Sequence, residues 1–157
     1  MSWKAFEEDS PELARLSYEK LNRKIAYLAT LKKDGSPRIH PVTPFIGNGM
    51  LFIFTEPSSP KIKDLRRDGR YAMHCSVGDE GPLIEILVSG EAVVISDSRV
   101  RREQAKRIAA SPVVMDSYVL FEFHVKHVLV VEYDEERKPV VRRWRREEAR
   151  NLPDEGN

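Results

Sequence analysis

The stretch SSPKIKDLRRDGR, residues 58–70, carries two ammonium groups where a helix is already positive. Ser59 followed by Pro60 is a helix start: a side-chain oxygen suited to free N–H groups, then a ring already near helical φ. The first turn of such a helix favours Asp or Glu. Here the second and fourth helical positions are Lys61 and Lys63. Each cation costs about 0.3–1 kcal/mol there, and a bound anion reverses the sign, because N–H groups, dipole and ammonium then converge on it. Phosphate is the natural candidate. The alternative is that both lysines extend into water, where the penalty is screened.

Arg38 adds to the anion reading. It follows the Asp34-Gly35 turn in a segment interrupted by Pro37, Pro41 and Pro44, which leaves backbone groups unpaired. A guanidinium fork can hold a phosphate through two bonds. The other polar residues point to less. His124 and His127 are three apart and face opposite sides of a regular strand, so they share no metal without a bend. No metal site is expected. Cys75 has no evident partner base and reads as a buried strand thiol. The basic "RRWRR" near the C-terminus could stack on nucleic acid, but a solvated strand end accounts for it more simply. There is no Walker A loop, no GxGxxG and no GxSxG.

The elements that must position these residues alternate quickly. Ser10-Pro11-Glu12 starts a helix to about Arg23. "KIAYLATLKKDGSPRIHPVTPFI" reads as two strands around Asp34-Gly35, the second an edge strand because of its prolines. Gly47-Asn48-Gly49 turns into "MLFIFT", the helix near 60–68 follows, and then "RYAMHCSV". "LIEILVSGEAVVIS" is a long strand that should bend at Gly90. Asp97 or Ser98 caps a helix to about Ala110, ended by Ser111-Pro112. "YVLFEFHVKHVLVVEY" is one long strand or a bent pair, and "PVVRRWR" is the last strand. About seven short strands and three outlying helices predict a mainly β fold, an antiparallel closed or split barrel.

Composition bounds the rest. A chain of 157 residues, 41% hydrophobic and 32% charged, suits one globular domain. Its core is expected over about 10–146, with 147–157 a loose tail. The net charge of +1 gives no reason to expect nucleic acid or an anionic membrane as partner. A single cysteine fits a reducing compartment, and the acidic start "MSWKAFEEDSPEL" lacks the apolar run of a signal peptide. The expected setting is cytoplasmic.

"IAYLATLKKDGSPRIHPVTPF", then "FIFT", then "SSPKIKDLRRDGRYAMH" resembles the flavin-binding split-barrel family typified by pyridoxamine 5′-phosphate oxidase. The likeness covers roughly residues 20–78, with weaker agreement through "VSGEAVVIS". In that family a strand ending in Thr leads into a Ser-Arg-Lys turn that binds the phosphate of FMN. Thr55, Ser59 and Lys61 match, Pro60 stands where the arginine would be, and Arg38 resembles the family's phosphate-binding arginine. The resemblance implies a homodimer with FMN at the interface. The flavin ring would lie against strand edges near 40–43 and 52–55, which brings in Pro41, Val42 and Phe54. It implies an FMN-dependent oxidoreductase acting on a small molecule. An F420-dependent reductase and a non-catalytic flavin-binding protein are the alternatives on the same fold. In "PVVRRWR", Trp144 shares a face with Arg142 and Arg146, so burying it would draw two cations inward. Trp144 is therefore expected either to cover a planar ring at the dimer interface or to pack on the surface beside arginine stems.

Overall fold

The structure is a computed structural model that describes residues 2–78, 81–109 and 116–147. It contains α1 (Ser2–Asp9), α2 (Pro11–Leu21), β1 (Ala26–Leu31), β2 (Pro37–Val42), β3 (Phe45–Gly47), β4 (Met50–Thr55), α3 (Pro60–Arg67), β5 (Arg70–Cys75), β6 (Ile84–Val94), α4 (Ser98–Arg107), β7 (Val119–Tyr133) and β8 (Pro139–Arg145). The strands form one antiparallel sheet in the order β2-β1-β5-β6-β7-β4-β3, with β8 paired to the second half of β7. The end of the chain expected to be loose lies largely outside the described residues, as does the Ser111-Pro112 stop.

The sheet has to curl. Seven strands laid flat at about 4.8 Å spacing would hold β2 and β3 about 29 Å apart. Only Thr43 and Pro44 separate the end of β2 from the start of β3, a span of roughly 10 Å. The two sheet edges therefore come round toward each other, yet β2 pairs only with β1, and β3 only with β4. A gap remains between them. Pro37 and Pro41 have no N–H to offer a second ladder, which keeps that gap open.

The inward face of the sheet carries Leu28, Met73, Ile86, Phe121 and Phe123, all fully buried and packed on the helices. A second, smaller cluster of Met50, Phe52 and Leu120 lies with Phe45, Phe54, Val100 of α4 and Ile108 at that helix's C-cap. Asp97 caps α4 by accepting from the Arg99 and Val100 N–H groups.

One expectation, the helix count, is corrected here. Residues 2–9 form α1, and Trp3 and Phe6 are fully buried in the core, so the core begins before residue 10. The Val125 N–H donates to the buried Ser2 hydroxyl, which fastens this helix to β7. β7 is a single long strand with a bend. The β6–β7 register shifts at Ser89/Gly90, so that Ser89 faces His127 while Gly90 faces Val125, and Lys126 is the extra residue. Val125 and Val128 both point inward as a result, and His124 and His127 both lie on the outward side. Each has its own partner: His124 Nε2 lies 3.3 Å from Glu122, and His127 Nε2 accepts from Arg145 Nε at 2.9 Å. Among the described residues no group of three His, Cys, Asp or Glu side chains is placed to hold a metal ion. Nor is any described helix long and apolar enough to cross a membrane.

Gly90 makes the bulge possible, since a Cβ there would lie 1.9 Å from the His124 carbonyl oxygen. Gly90→Ala is expected to destabilise the fold by about 1–3 kcal/mol or more, the range for overpacking. Denaturant unfolding checks this, and an unchanged midpoint would mean the bulge relaxes freely.

Candidate functional site

α3 follows β4 and packs against β1 and β6, and one buried carboxylate fastens it to the β1–β2 hairpin. Asp64 is 2% exposed and accepts three hydrogen bonds. Thr30 Oγ1 of β1 donates at 2.8 Å, Arg38 Nε of β2 at 2.8 Å, and Arg67 Nη2 of the same helix at 3.0 Å. Arg67 also donates to the Leu31 carbonyl. Burial opposes ionisation of Asp64, but the bonds from Arg38, Thr30 and Arg67, with the charge of Arg38, hold its carboxyl below the usual carboxylate range.

Arg38 spends only Nε on Asp64. Among the described residues no acceptor claims its terminal nitrogens. It shares one side of β2 with His40 and Val42, while Pro37, Ile39 and Pro41 face outward.

At the start of α3, Ser59 is the N-cap residue, but its hydroxyl caps nothing. Lys61 Nζ donates to it instead at 2.8 Å. The expected side-chain cap is thus replaced by a serine–lysine pair. Lys61 is half-buried and has no carboxylate within ion-pair distance among the described residues; desolvation lowers its pKa, with Glu56 opposing. Glu56 is turned toward Ser58, accepting from its N–H at 3.0 Å and from its hydroxyl. Lys63, by contrast, is exposed.

Two buried polar atoms around this helix start have no hydrogen-bond partner: Thr55 Oγ1 and His40 Nε2. Thr55 ends β4 and is 2% exposed. Buried polar groups are nearly always satisfied, so such orphans mark a place where an acceptor or donor is missing. Arg38, His40, Thr55, Ser59 and Lys61 together form a cradle rich in donors, with its one deeply buried acid turned inward. A separate recess of about 420 Å³ at the other end of α3 is lined by Lys32, Lys33, Arg67, Asp68 and Arg70.

The remaining candidates separate from the cradle. Val42 packs at the margin of the main core. Pro41 is exposed on the opposite side of β2. Phe54 faces away from Thr55 into the second cluster, edge-on to Phe52 at 6.2 Å and under Arg101.

Trp144 is a correction. Its ring is buried, tilted against Phe6 at 4.8 Å between centroids, and its indole N–H donates to Asp9. α1 supplies both contacts. Arg142, which shares its face, is met by Glu12 at 2.9 Å and by Glu132, while Arg146 lies past the strand in solvent. Burial therefore draws no unpaired cation inward.

Sequence reasoning missed His40, Asp64, Thr30 and Arg67. The alternation Arg38-x-His40 was the available signal for the first. For Asp64 it was a carboxylate set between Ile62 and Leu65, both buried on α3.

A curled antiparallel sheet left open along one seam, with a donor-rich cradle beside it, is a split β-barrel. The sequence pattern of pyridoxamine 5′-phosphate oxidase matches residues 15–132, and the chain belongs to that family. No curated protein matches it in sequence. Among solved structures, PhzG from Burkholderia lata, in complex with tetrahydrophenazine-1-carboxylic acid, superposes with a TM-score of 0.65 at 16% identity, covering 92% of this chain and 88% of that one. A NimC/NimA family protein from Clostridium acetobutylicum gives 0.63 at 16% identity, covering 85% and 93%. An F420 reductase gives 0.57 at 15% identity, covering 71% and 94%. At these identities the likeness is one of fold.

Asp64→Ala leaves Thr30, Arg38 and Arg67 without their shared acceptor and is expected to cost about 1.5–3 kcal/mol, the range for hydrogen bonds to a charged group, because both arginines keep access to water. Because the folded pKa of Asp64 is depressed, its stabilisation is present above the ordinary carboxylate pKa and is lost as pH falls through the lower folded value. Unfolding curves from neutral to acid pH should therefore converge for wild type and variant. A constant difference down to the acid limit would contradict this account.

Proposed function

We propose that this chain binds FMN through the cradle at the start of α3 and works as a flavin-dependent oxidoreductase on a small molecule. The observation that carries the reading is the cradle itself. Two buried polar atoms lack partners beside a partly desolvated lysine that no carboxylate neutralises. A phosphate supplies both what the orphans lack and the counter-charge. Arg38, Ser59 and Lys61 would hold the phosphate, Thr55 would bond beside them, and the free backbone edge of β2 near Pro41 and Val42 would face the ring. The bound flavin supplies hydride or electron transfer; the protein supplies position and electrostatics.

A second reading, the deazaflavin F420, is supported by the fold likeness to an F420 reductase. An absorbance spectrum of the purified protein, with mass identification of the released ligand, separates the two.

Lys61→Ala is expected to weaken FMN by about 1.5–3 kcal/mol, the range for a hydrogen bond to a charged group, and to weaken riboflavin far less. Equal losses for both ligands would remove Lys61 from the phosphate.

The same reading includes a homodimer. On the outward side of β1 and β2, Ile25, Tyr27 and Ile39 are 54%, 46% and 68% exposed, beside Pro41. Tyr27 pairs directly with Pro41. A contiguous apolar face on an edge strand suits a second copy. Sedimentation equilibrium should give about twice the 18.1 kDa chain mass, and Ile39→Lys should give the monomer. A stable flavin-loaded monomer of the wild-type chain would count against the dimer.

A further inference from the structure

His40 is the one member of the cradle whose ring has no use in holding the fold. Its Nε2 is buried without a partner, which costs about 1–3 kcal/mol unless something else meets it. The groups that act on it are Arg38 from its own strand and Lys61 and Asp64 from α3. Desolvation first, then Lys61 and Arg38, push its pKa down, and Asp64 opposes them only weakly. The ring is therefore neutral at physiological pH. Asp64 offers little as an acceptor, because it already takes bonds from Thr30, Arg38 and Arg67.

What the ring lacks is an acceptor of high negative charge on the cradle side, and a phosphate monoester carries close to two charges at neutral pH. Such a dianion changes the sign of the field at His40. The two cations that kept the imidazole neutral become neutralised, and the imidazolium becomes the favoured form.

We infer that His40 is a ligand of the phosphate and that binding the dianion draws one proton from solvent onto its imidazole, which makes the affinity for a phosphomonoester rise as pH falls from 8.5 toward 6.5. This rests on the phosphate reading of the cradle given above. The proton is taken from water or buffer, and no bond of the ligand changes. A ligand without the phosphate takes up no proton at this residue.

The experiment is titration calorimetry of the full chain with FMN and with riboflavin, in buffers of different ionisation enthalpy, on wild type, His40→Asn and His40→Gln. Imidazole ¹⁵N shifts of wild-type His40, assigned through bonds, are followed in parallel. For FMN, uptake approaching one proton and an affinity gain of up to about tenfold per pH unit are expected. For riboflavin neither is expected, and both should disappear in the His40 variants. His40 shifts should move from the neutral to the protonated pattern on FMN saturation, a readout that stands even if the variants fail to fold. Undiminished proton uptake in His40→Asn, or a ring that stays neutral in the saturated wild-type complex, overturns the inference while leaving the phosphate cradle intact. FMN binding no better than riboflavin, or no binding of either, overturns the phosphate reading and this inference with it.

Discussion

A single buried carboxylate governs how this barrel stays split and still holds its shape. β2 has a ladder on one side only, and its far edge is free. A strand so placed would be positioned weakly by backbone bonds alone. Asp64 reaches from α3 to Arg38 on β2 and Thr30 on β1, which themselves face each other across the ladder. One side chain thus fixes helix to hairpin at three points when Arg67 is counted. Removing a charge from water is expensive, and what makes it tolerable here is that three donors replace the lost hydration.

The same arrangement sets the electrostatics of the seam. By accepting inward, Asp64 leaves the outer nitrogens of Arg38 free. Lys61 is held by a serine hydroxyl, a neutral partner that orients the ammonium without cancelling its charge. Elsewhere among the described residues the cations in ion pairs meet a carboxylate directly, locally on helix faces as in Arg15–Glu19 and Arg99–Glu103 or across elements as in Arg142–Glu12 and Lys126–Glu91. The cradle differs from them in joining a half-buried lysine that has no carboxylate partner to two buried polar atoms without partners; the other buried orphan atoms among the described residues, on Gln104, Glu122 and Arg142, have no such lysine beside them.

Much of this was legible in the sequence. Strand alternation, the Asp34-Gly35 turn, the proline-bearing edge and the bend at Gly90 depend on two-residue periods and backbone chemistry, which are local. The inverted charge of α3 was legible for the same reason. What was not legible depends on contacts between distant residues. α1 has only eight residues, too few for a periodic pattern to stand out, and its Trp3 and Phe6 gain their meaning from β7 and β8. Trp144 looked unfit for the core because its partners Phe6, Asp9, Glu12 and Glu132 are scattered along the chain. Asp64 read as one charge among many, since nothing near it in sequence announces Thr30 or Arg38.

The open seam carries a cost that ties the site to assembly. A free edge strand invites pairing with other chains, and proteins blunt it with prolines, charges or cover. β2 has the prolines, but its outward side also shows Ile39, and β1 beside it shows Tyr27. Closing the seam by pairing β2 to the opposite edge would remove the hazard and would also saturate the backbone that a planar ligand needs. Keeping it open requires something to cover the apolar side of the hairpin. In the proposed dimer a second copy would do this without entering the cradle, because Arg38 and His40 lie on one side of β2 while Ile39 and Pro41 lie on the other. The two-residue period of a single edge strand thereby separates a polar side, Arg38 and His40, from an apolar side, Ile39 and Pro41, so a one-residue slip of β2 would exchange the two at once.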